Sequence, residues 1–273
     1  MLERLQYINH VNETLDFGEG GLFVNMNDLR DYTWTVSSKN ERIAGFKKGI
    51  VTKTIPIILK CKTESEGLQM KNKLFEVFEK DVLAVKHGKF VIGEYFLKCF
   101  VIESKKTEYL LDKSYLKITV KISTDFPYWV REKSSTFRYG LGTEGKNLDF
   151  NRDYPSDYTS NLIQKKLDNT HFVPVNFRLV VYGICENPVV TIAGHPYKVN
   201  VTVEANEYLT IDSVNKTVTL TRADGTHTNC FNLRNRNDYI FKKIPVGSLN
   251  VSASGDFSFD VVLLEERGEP KWI

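Results

Sequence analysis

The segment Tyr115-Leu116-Lys117-Ile118-Thr119-Val120-Lys121-Ile122 alternates polar and apolar residues without a break. In an extended chain successive side chains point to opposite faces, so Leu116, Ile118, Val120 and Ile122 share one side and Tyr115, Lys117, Thr119 and Lys121 the other. A half-buried strand with one wet face satisfies that order. The period recurs in Ile55, Ile57, Leu59 and Cys61, in Phe177, Leu179 and Val181, in Val199, Val201 and Val203, and in Phe257, Phe259, Val261 and Leu263. All of these are expected to be half-buried sheet. Pro56 has no N–H to give to a ladder, which predicts an edge position for its strand. Thirteen Tyr and seventeen Phe, with many Val and Thr, favour the same pleated surfaces.

One segment breaks the rhythm. Thr63 and Glu66 form a capping-box pair, and Met70, Leu74, Val77 and Phe78 fall on one helical face, which predicts a helix over 64–80 packed on a sheet. Asn187-Pro188 reads as a turn, and Asp224-Gly225 as the turn of a hairpin, since Gly tolerates the positive φ needed there. A chain of 273 residues exceeds the usual size of one domain. The alternation is lost across 130–147, where Gly and Ser accumulate. The expected organisation is a first domain over 1–135, a linker over 136–147 and a second domain over 148–273. The fold class is mainly β: an N-terminal β-sandwich with one packed helix, then a second antiparallel β-sandwich.

Net charge is only +3, from 37 basic and 34 acidic residues, so no strong field exists to hold a polyanion, and no sequence-specific nucleic acid is expected as a partner. Met1-Leu2-Glu3-Arg4-Leu5-Gln6 has no apolar run of a signal peptide, and no stretch approaches the ~18 apolar residues of a membrane span, so no membrane is expected either. Synthesis in a cytoplasm is the expectation. Cys61, Cys99, Cys185 and Cys230 sit in strand-like surroundings and read as free core thiols. The sequons at Asn12, Asn200, Asn215 and Asn250 are discounted accordingly.

Several motifs fail at the residues where chemistry would begin. Gly140, Gly142, Gly145 and Lys146 have P-loop spacing, but Asn147 replaces the Mg²⁺-binding hydroxyl and no strand-loop-helix context surrounds them. Asp149, Asn151 and Asp153 open like a calcium loop, yet Tyr154 stands at the turn glycine and Ser160 at the bidentate Glu. His10, His87, His171, His195 and His227 form no metal-ligand spacing. Gly18-Glu19-Gly20-Gly21 reads as a loop, and Glu265-Glu266 as solvated surface. Catalytic, cofactor-binding and metal residues are therefore expected to be none. Tyr128, Trp129, Phe137, Tyr139, Phe150, Tyr154 and Tyr158 flank the linker, either as interdomain packing or as a sugar-stacking or protein-docking surface.

Val181-Tyr182-Gly183, Asn187-Pro188, Leu209-Thr210-Ile211-Asp212-Ser213, Asp224-Gly225 and Ile244-Pro245-Val246-Gly247-Ser248-Leu249-Asn250-Val251 follow in an order and spacing that resembles the C-terminal half of siphophage and prophage distal tail proteins. The likeness runs over roughly 175–265 of the chain. Phe126-Pro127-Tyr128-Trp129 is similar to the close of that family's N-terminal domain. The resemblance implies a ring-forming first domain, assembled as a homo-hexamer at the virion tail tip, and a galectin-like or carbohydrate-module-like second sandwich. It also implies partners: the tail tube protein, the tail-associated lysin or tail fibre protein, and receptor-binding proteins. The work would be assembly rather than catalysis. The alternatives are a glycan-binding module of a cell-wall-recognition protein, and a wall hydrolase whose carboxylates meet only in the fold.

Overall fold

A computed structural model describes residues 4–108, 113–139 and 165–272. The chain is mainly β, with one α-helix among the described residues. It divides into two compact units, Met1–Arg131 with Glu266–Ile273, and Glu132–Glu265. Most of 136–147 lies outside the described residues.

The first unit contains β1 (Leu5–Ile8), β2 (Thr14–Phe17), β3 (Leu22–Val24), β4 (Thr35–Lys39), β5 (Arg42–Lys47), β6 (Val51–Lys60), helix α1 (Glu64–Ala84), β7 (Gly88–Ile92), β8 (Tyr95–Glu108), β9 (Tyr115–Thr124) and the start of β10 (Trp129–Phe137). Two antiparallel sheets run in the orders β2–β1–β7–β8 and β3–β6–β9–β8. Strand β8 belongs to both. Its first half pairs with β7 from Gly88↔Cys99 to Ile92↔Tyr95, and its second half with β9 from Phe100↔Ser123 onward. The alternating residues of β6 and β9 meet in the core: Ile55, Ile57, Leu59, Leu116, Ile118, Val120 and Ile122 are all buried. Each such side chain contributes about 1.5–3 kcal/mol relative to exposure.

Pro56 does not mark an edge strand, because β6 lies between β3 and β9. The carbonyl of Pro56 accepts from the Asn25 N–H at 3.1 Å, on the flank facing β3. A strand residue's N and O point to the same side, so the missing N–H faces the point where the short β3 ladder has just ended at Val24↔Ile57.

Helix α1 begins as expected. The Glu66 N–H donates to Thr63 Oγ1, and Glu66 Oε2 accepts from the Thr63 N–H, each at 3.3 Å. Gly67 is required one turn in, since a Cβ there would lie 2.5 Å from the Lys113 carbonyl oxygen. Leu74, Val77 and Phe78 are buried. The helix continues past residue 80 to Ala84, with the buried Asp81 as the anchor of its last turn. The chain end returns to this unit: Arg30 donates to the Pro270 carbonyl at 2.9 Å, and its guanidinium lies 3.8 Å from the Trp272 ring.

The second unit contains β11 (Lys166–Asn169), β12 (Asn176–Tyr182), β13 (Cys185–Glu186), β14 (Val189–Ile192), β15 (His195–Lys198), β16 (Thr202–Val203), β17 (Tyr208–Asp212), β18 (Thr217–Thr221), β19 (His227–Asn229), β20 (Gly247–Ala253) and most of β21 (Phe259–Arg267). Strands β19–β18–β17–β12–β21 form one antiparallel sheet and β11–β20–β14–β15 a second, with β13–β16 a small pair beside them. The inner residues of both sheets share one core, in which Phe177, Leu179, Val181, Ile211, Phe259, Val261 and Leu263 oppose Leu167, Val190, Ile192, Leu249 and Val251. The Asp224-Gly225 turn closes the β18–β19 hairpin, with Gly225 at φ +83° and Asp224 Oδ1 accepting from the Thr226 N–H at 2.8 Å. Asn187 takes φ +47° ahead of Pro188. The alternation of Val199, Val201 and Val203 is not a full strand: Val199 makes a single bridge to Arg234, and only Thr202–Val203 pair, with β13. Their side chains still reach the core, which is why the pattern persists in the sequence.

Candidate functional site

A two-stranded ribbon in the first unit exposes more apolar surface than folding requires. Strands β4 and β5 pair with each other, from Thr35↔Lys47 to Lys39↔Arg42, and with no other strand among the described residues. Asn40 and Glu41 both take positive φ, the backbone of a tight hairpin turn. A register shift between Ser37 and Ser38 brings Ser38 opposite Ile43, so Val36, Phe46 and Ile43 share one face. These three are 52%, 59% and 65% exposed. An isolated hairpin is marginal in water, and a contiguous apolar face of this kind marks an interaction surface.

The base of the ribbon is nevertheless fixed. Lys48, one residue beyond β5, sets its ammonium 4.6 Å from the Trp34 ring centroid and 4.5 Å from that of Tyr128, and donates to the Pro127 carbonyl at 3.0 Å. Burial, and then the neighbouring Lys53, lowers its pKa. Trp34 also meets the Phe46 ring edge-on at 6.4 Å. The caged ammonium holds both ends of the hairpin, so its apolar face is presented rather than loose.

Two further surfaces belong to this unit. Val82, Leu83 and Val85 are exposed where α1 ends, with Val85 at φ +51°. An open cleft of about 660 Å³ lies between Gly20 and Gly21 of the β2–β3 loop, Lys60 and Cys61 at the end of β6, and Glu66 and Met70 of α1.

The residues considered from sequence are dispersed. His10 Nδ1 lies 2.6 Å from Asp81 Oδ1, His87 Nε2 3.2 Å from Asp125, His195 Nε2 3.1 Å from the Tyr239 carbonyl, and His227 Nδ1 3.0 Å from Thr221 Oγ1. His171 is buried elsewhere. Among the described residues no three His, Cys, Asp or Glu side chains converge as metal ligands. Cys99 and Cys230 are buried, but Cys61 and Cys185 are only half-buried, so the expectation of four core thiols holds for two of them. Burial pushes the Cys185 thiol up to about 11. Glu265 is not solvated surface: at 2% exposure it ends a run, Val261 to Glu265 of β21, in which every residue is buried, both faces of the strand being covered there, while Glu266 is half-buried.

Among the described residues, the aromatic group flanking the expected linker is divided between separate packing sites. Trp129 is buried in the first core, its Nε1 donating to the Leu29 carbonyl at 3.1 Å, and Tyr128 belongs to the Lys48 cage. Phe137 stacks on Phe259 in the second core, with centroids 4.9 Å apart. Phe150, Tyr154 and Tyr158 lie outside the described residues, as do Gly140, Gly142, Gly145, Lys146 and Asn147 of the P-loop-like stretch and Asp149, Asn151, Asp153 and Ser160 of the calcium-like one.

No protein-family model matches the chain, and no curated protein matches it. Solved structures do. A chain in the structure of the phage P2 baseplate in its activated conformation with Ca superposes with a TM-score of 0.63 at 12% identity, covering 99% of this chain and all of that one. The same baseplate with Sr gives 0.63 at 13% identity and 99% coverage. The phage SPP1 Dit protein (gp 19.1), described as a paradigm of the hub adsorption apparatus in phages infecting Gram-positive bacteria, gives 0.59 at 8% identity over 98% of this chain and all of that one. The chain thus has the fold of these phage baseplate and Dit hub proteins, from end to end.

Proposed function

We propose that this protein is the structural hub of a phage or prophage tail tip. Six copies close into a ring through the first unit. The ring joins the tail tube protein to the tail-associated lysin or tail fibre protein, and the second unit is available to receptor-binding proteins. The observation that carries this reading is the agreement of fold over both units with baseplate and hub structures. Site chemistry supports it. The described surfaces are ribbons, clefts and sheet faces, which suit a protein that acts by holding partners in register rather than by catalysis. It is made in the bacterial host cytoplasm and ends in the virion tail tip.

The β4–β5 hairpin is the element best suited to ring closure. A head-to-tail contact joins two different surfaces, so an exposed ribbon on one copy can cover apolar surface on the next and generate a closed ring. Obligate contacts of that sort are rich in apolar side chains, as the Val36, Ile43 and Phe46 face is. Electron microscopy of the purified full chain tests the reading: closed six-membered rings are expected, and a field of single copies at every concentration would reject ring formation without partners.

A further inference from the structure

Helix α1 ends in a way that folding alone does not ask for. A left-handed residue closes it, at the position where Gly is usual because it has no Cβ to strain. Here that residue is Val85, at φ +51° and 79% exposed. A branched apolar side chain is thus held out in water at a conformational cost, beside Leu83 at 77% exposure and the exposed Val82. The same end carries uncompensated negative charge. A helix C-terminus favours cations, yet α1 has no basic residue in its last turn. Glu76 and Glu79 are exposed two turns and one turn before Leu83, on the same stripe of the helix, and neither forms an ion pair among the described residues. Lys80 is drawn to Glu13 at 2.7 Å, and the next cation, Lys86, comes after the cap.

The open cleft at the other end of this helix has the complementary chemistry. Phe23, Cys61 and Met70 give it an apolar lining, and Lys60, Lys62 and Lys73 give it cations. All three lysines are exposed. The carboxylate in the lining, Glu66, already accepts from the Lys62 and Thr63 N–H groups. We infer that this cleft seats the C-terminal end of α1 from the next copy of the chain, with Leu83 and Val82 packed on Phe23 and Met70 and with Glu76 and Glu79 facing the lysines. The inference rests on the ring reading and adds a second contact to it. Within one copy the two surfaces cannot meet, because the helix rises about 25 Å from Glu66 to Leu83. Between copies they make a head-to-tail contact, the kind from which rings are built. The β4–β5 ribbon is the poorer occupant: it presents Lys39, Arg42 and Lys47, which would set like charge against the lysines of the cleft.

Cross-linking of the full chain tests the docking. Leu83→Cys places a thiol on an exposed position, and the contact brings it within disulfide reach of Cys61 in the next copy, a Cα separation of about 4–7 Å. Mild copper–phenanthroline oxidation should give a ladder of linked chains running up to six copies, and Cys61→Ser added to Leu83→Cys should abolish it. Native mass measurement of the parent runs beside it. Rings in the parent without a ladder that depends on Cys61 overturn this docking and leave the ring reading standing. Linkage that stops at two copies overturns the head-to-tail arrangement, and a parent that stays monomeric removes both readings. A charge exchange gives a second readout that needs no new cysteine. Lys62→Glu and Glu79→Lys should each weaken assembly about tenfold or more, and the two together in one chain should recover most of that loss. Losses that simply add would overturn the pairing of the acidic helix end with the cleft.

Discussion

The Tyr7 hydroxyl donates to Asp81 Oδ2 at 2.6 Å, fastening strand β1 to the last turn of α1. Both side chains are fully buried. The other carboxylate oxygen, Oδ1, accepts the His10 N–H at 2.8 Å and lies 2.6 Å from His10 Nδ1. Burial chiefly, with Cys99 and then Asp81 adding, pushes the Tyr7 hydroxyl far above its ordinary pKa, so it stays a donor. Gly88 makes the arrangement possible, because a Cβ there would lie 2.2 Å from both Asp81 Oδ2 and the Tyr7 hydroxyl oxygen.

Removing parts of this contact has graded consequences. Tyr7→Phe leaves a buried acceptor short of one donor and costs about 1–2 kcal/mol, whereas Asp81→Ala strands Tyr7 and His10 together and costs about 3–5 kcal/mol. Gly88→Ala forces the pair apart and should cost at least as much as Tyr7→Phe. Urea unfolding measures all three, and equal midpoints for parent and Asp81→Ala would show that the buried carboxylate holds nothing.

The caged lysine gives a local effect instead. Lys48→Ala removes the cation over Trp34 and Tyr128 and its bond to Pro127, a loss of about 1–2 kcal/mol. Amide hydrogen exchange should quicken across Thr35–Lys47 while the β6–β9 ladder keeps its protection. Uniform change in both regions would mean that the cage does not orient the hairpin.

Tyr182 should titrate late. Burial first, and the bond to Asp260 second, raise its pKa to about 12. The folded state therefore prefers the protonated phenol, and its contribution to stability is complete below the ordinary tyrosine pKa near 10 and is lost as pH rises through about 12. In difference ultraviolet titration against Tyr182→Phe, Asp260→Asn should bring this transition down toward 10. An unchanged transition would assign the shift to burial alone.

Much of the fold is legible because one-sided burial writes a period of two into the chain, as in Leu116 to Ile122, and because Thr63 with Glu66 announces a helix start. What depends on distant partners is not legible. Pro56 cannot indicate from its own sequence that β3 stops at Val24. Glu265 gives no sign that both faces of its strand are covered. The hairpin is hidden because the register shift near Ser37 breaks the alternation of Val36, Ile43 and Phe46, so their shared face emerges only from the pairing. Tyr182 and Tyr208 lie on separate strands, and only register sets them side by side.

The central claim is that this chain closes a ring with the apolar face of its β4–β5 hairpin. Native mass spectrometry of the full chain across a concentration series, beside Ile43→Asp and Phe46→Asp, tests it most directly. Both substitutions lie on exposed positions and should leave the fold intact. The account predicts a single six-copy species for the parent, reduced to monomers or open fragments by a charge buried in the contact. A parent that stays monomeric throughout, or a six-copy ring that both variants form as readily, would contradict it.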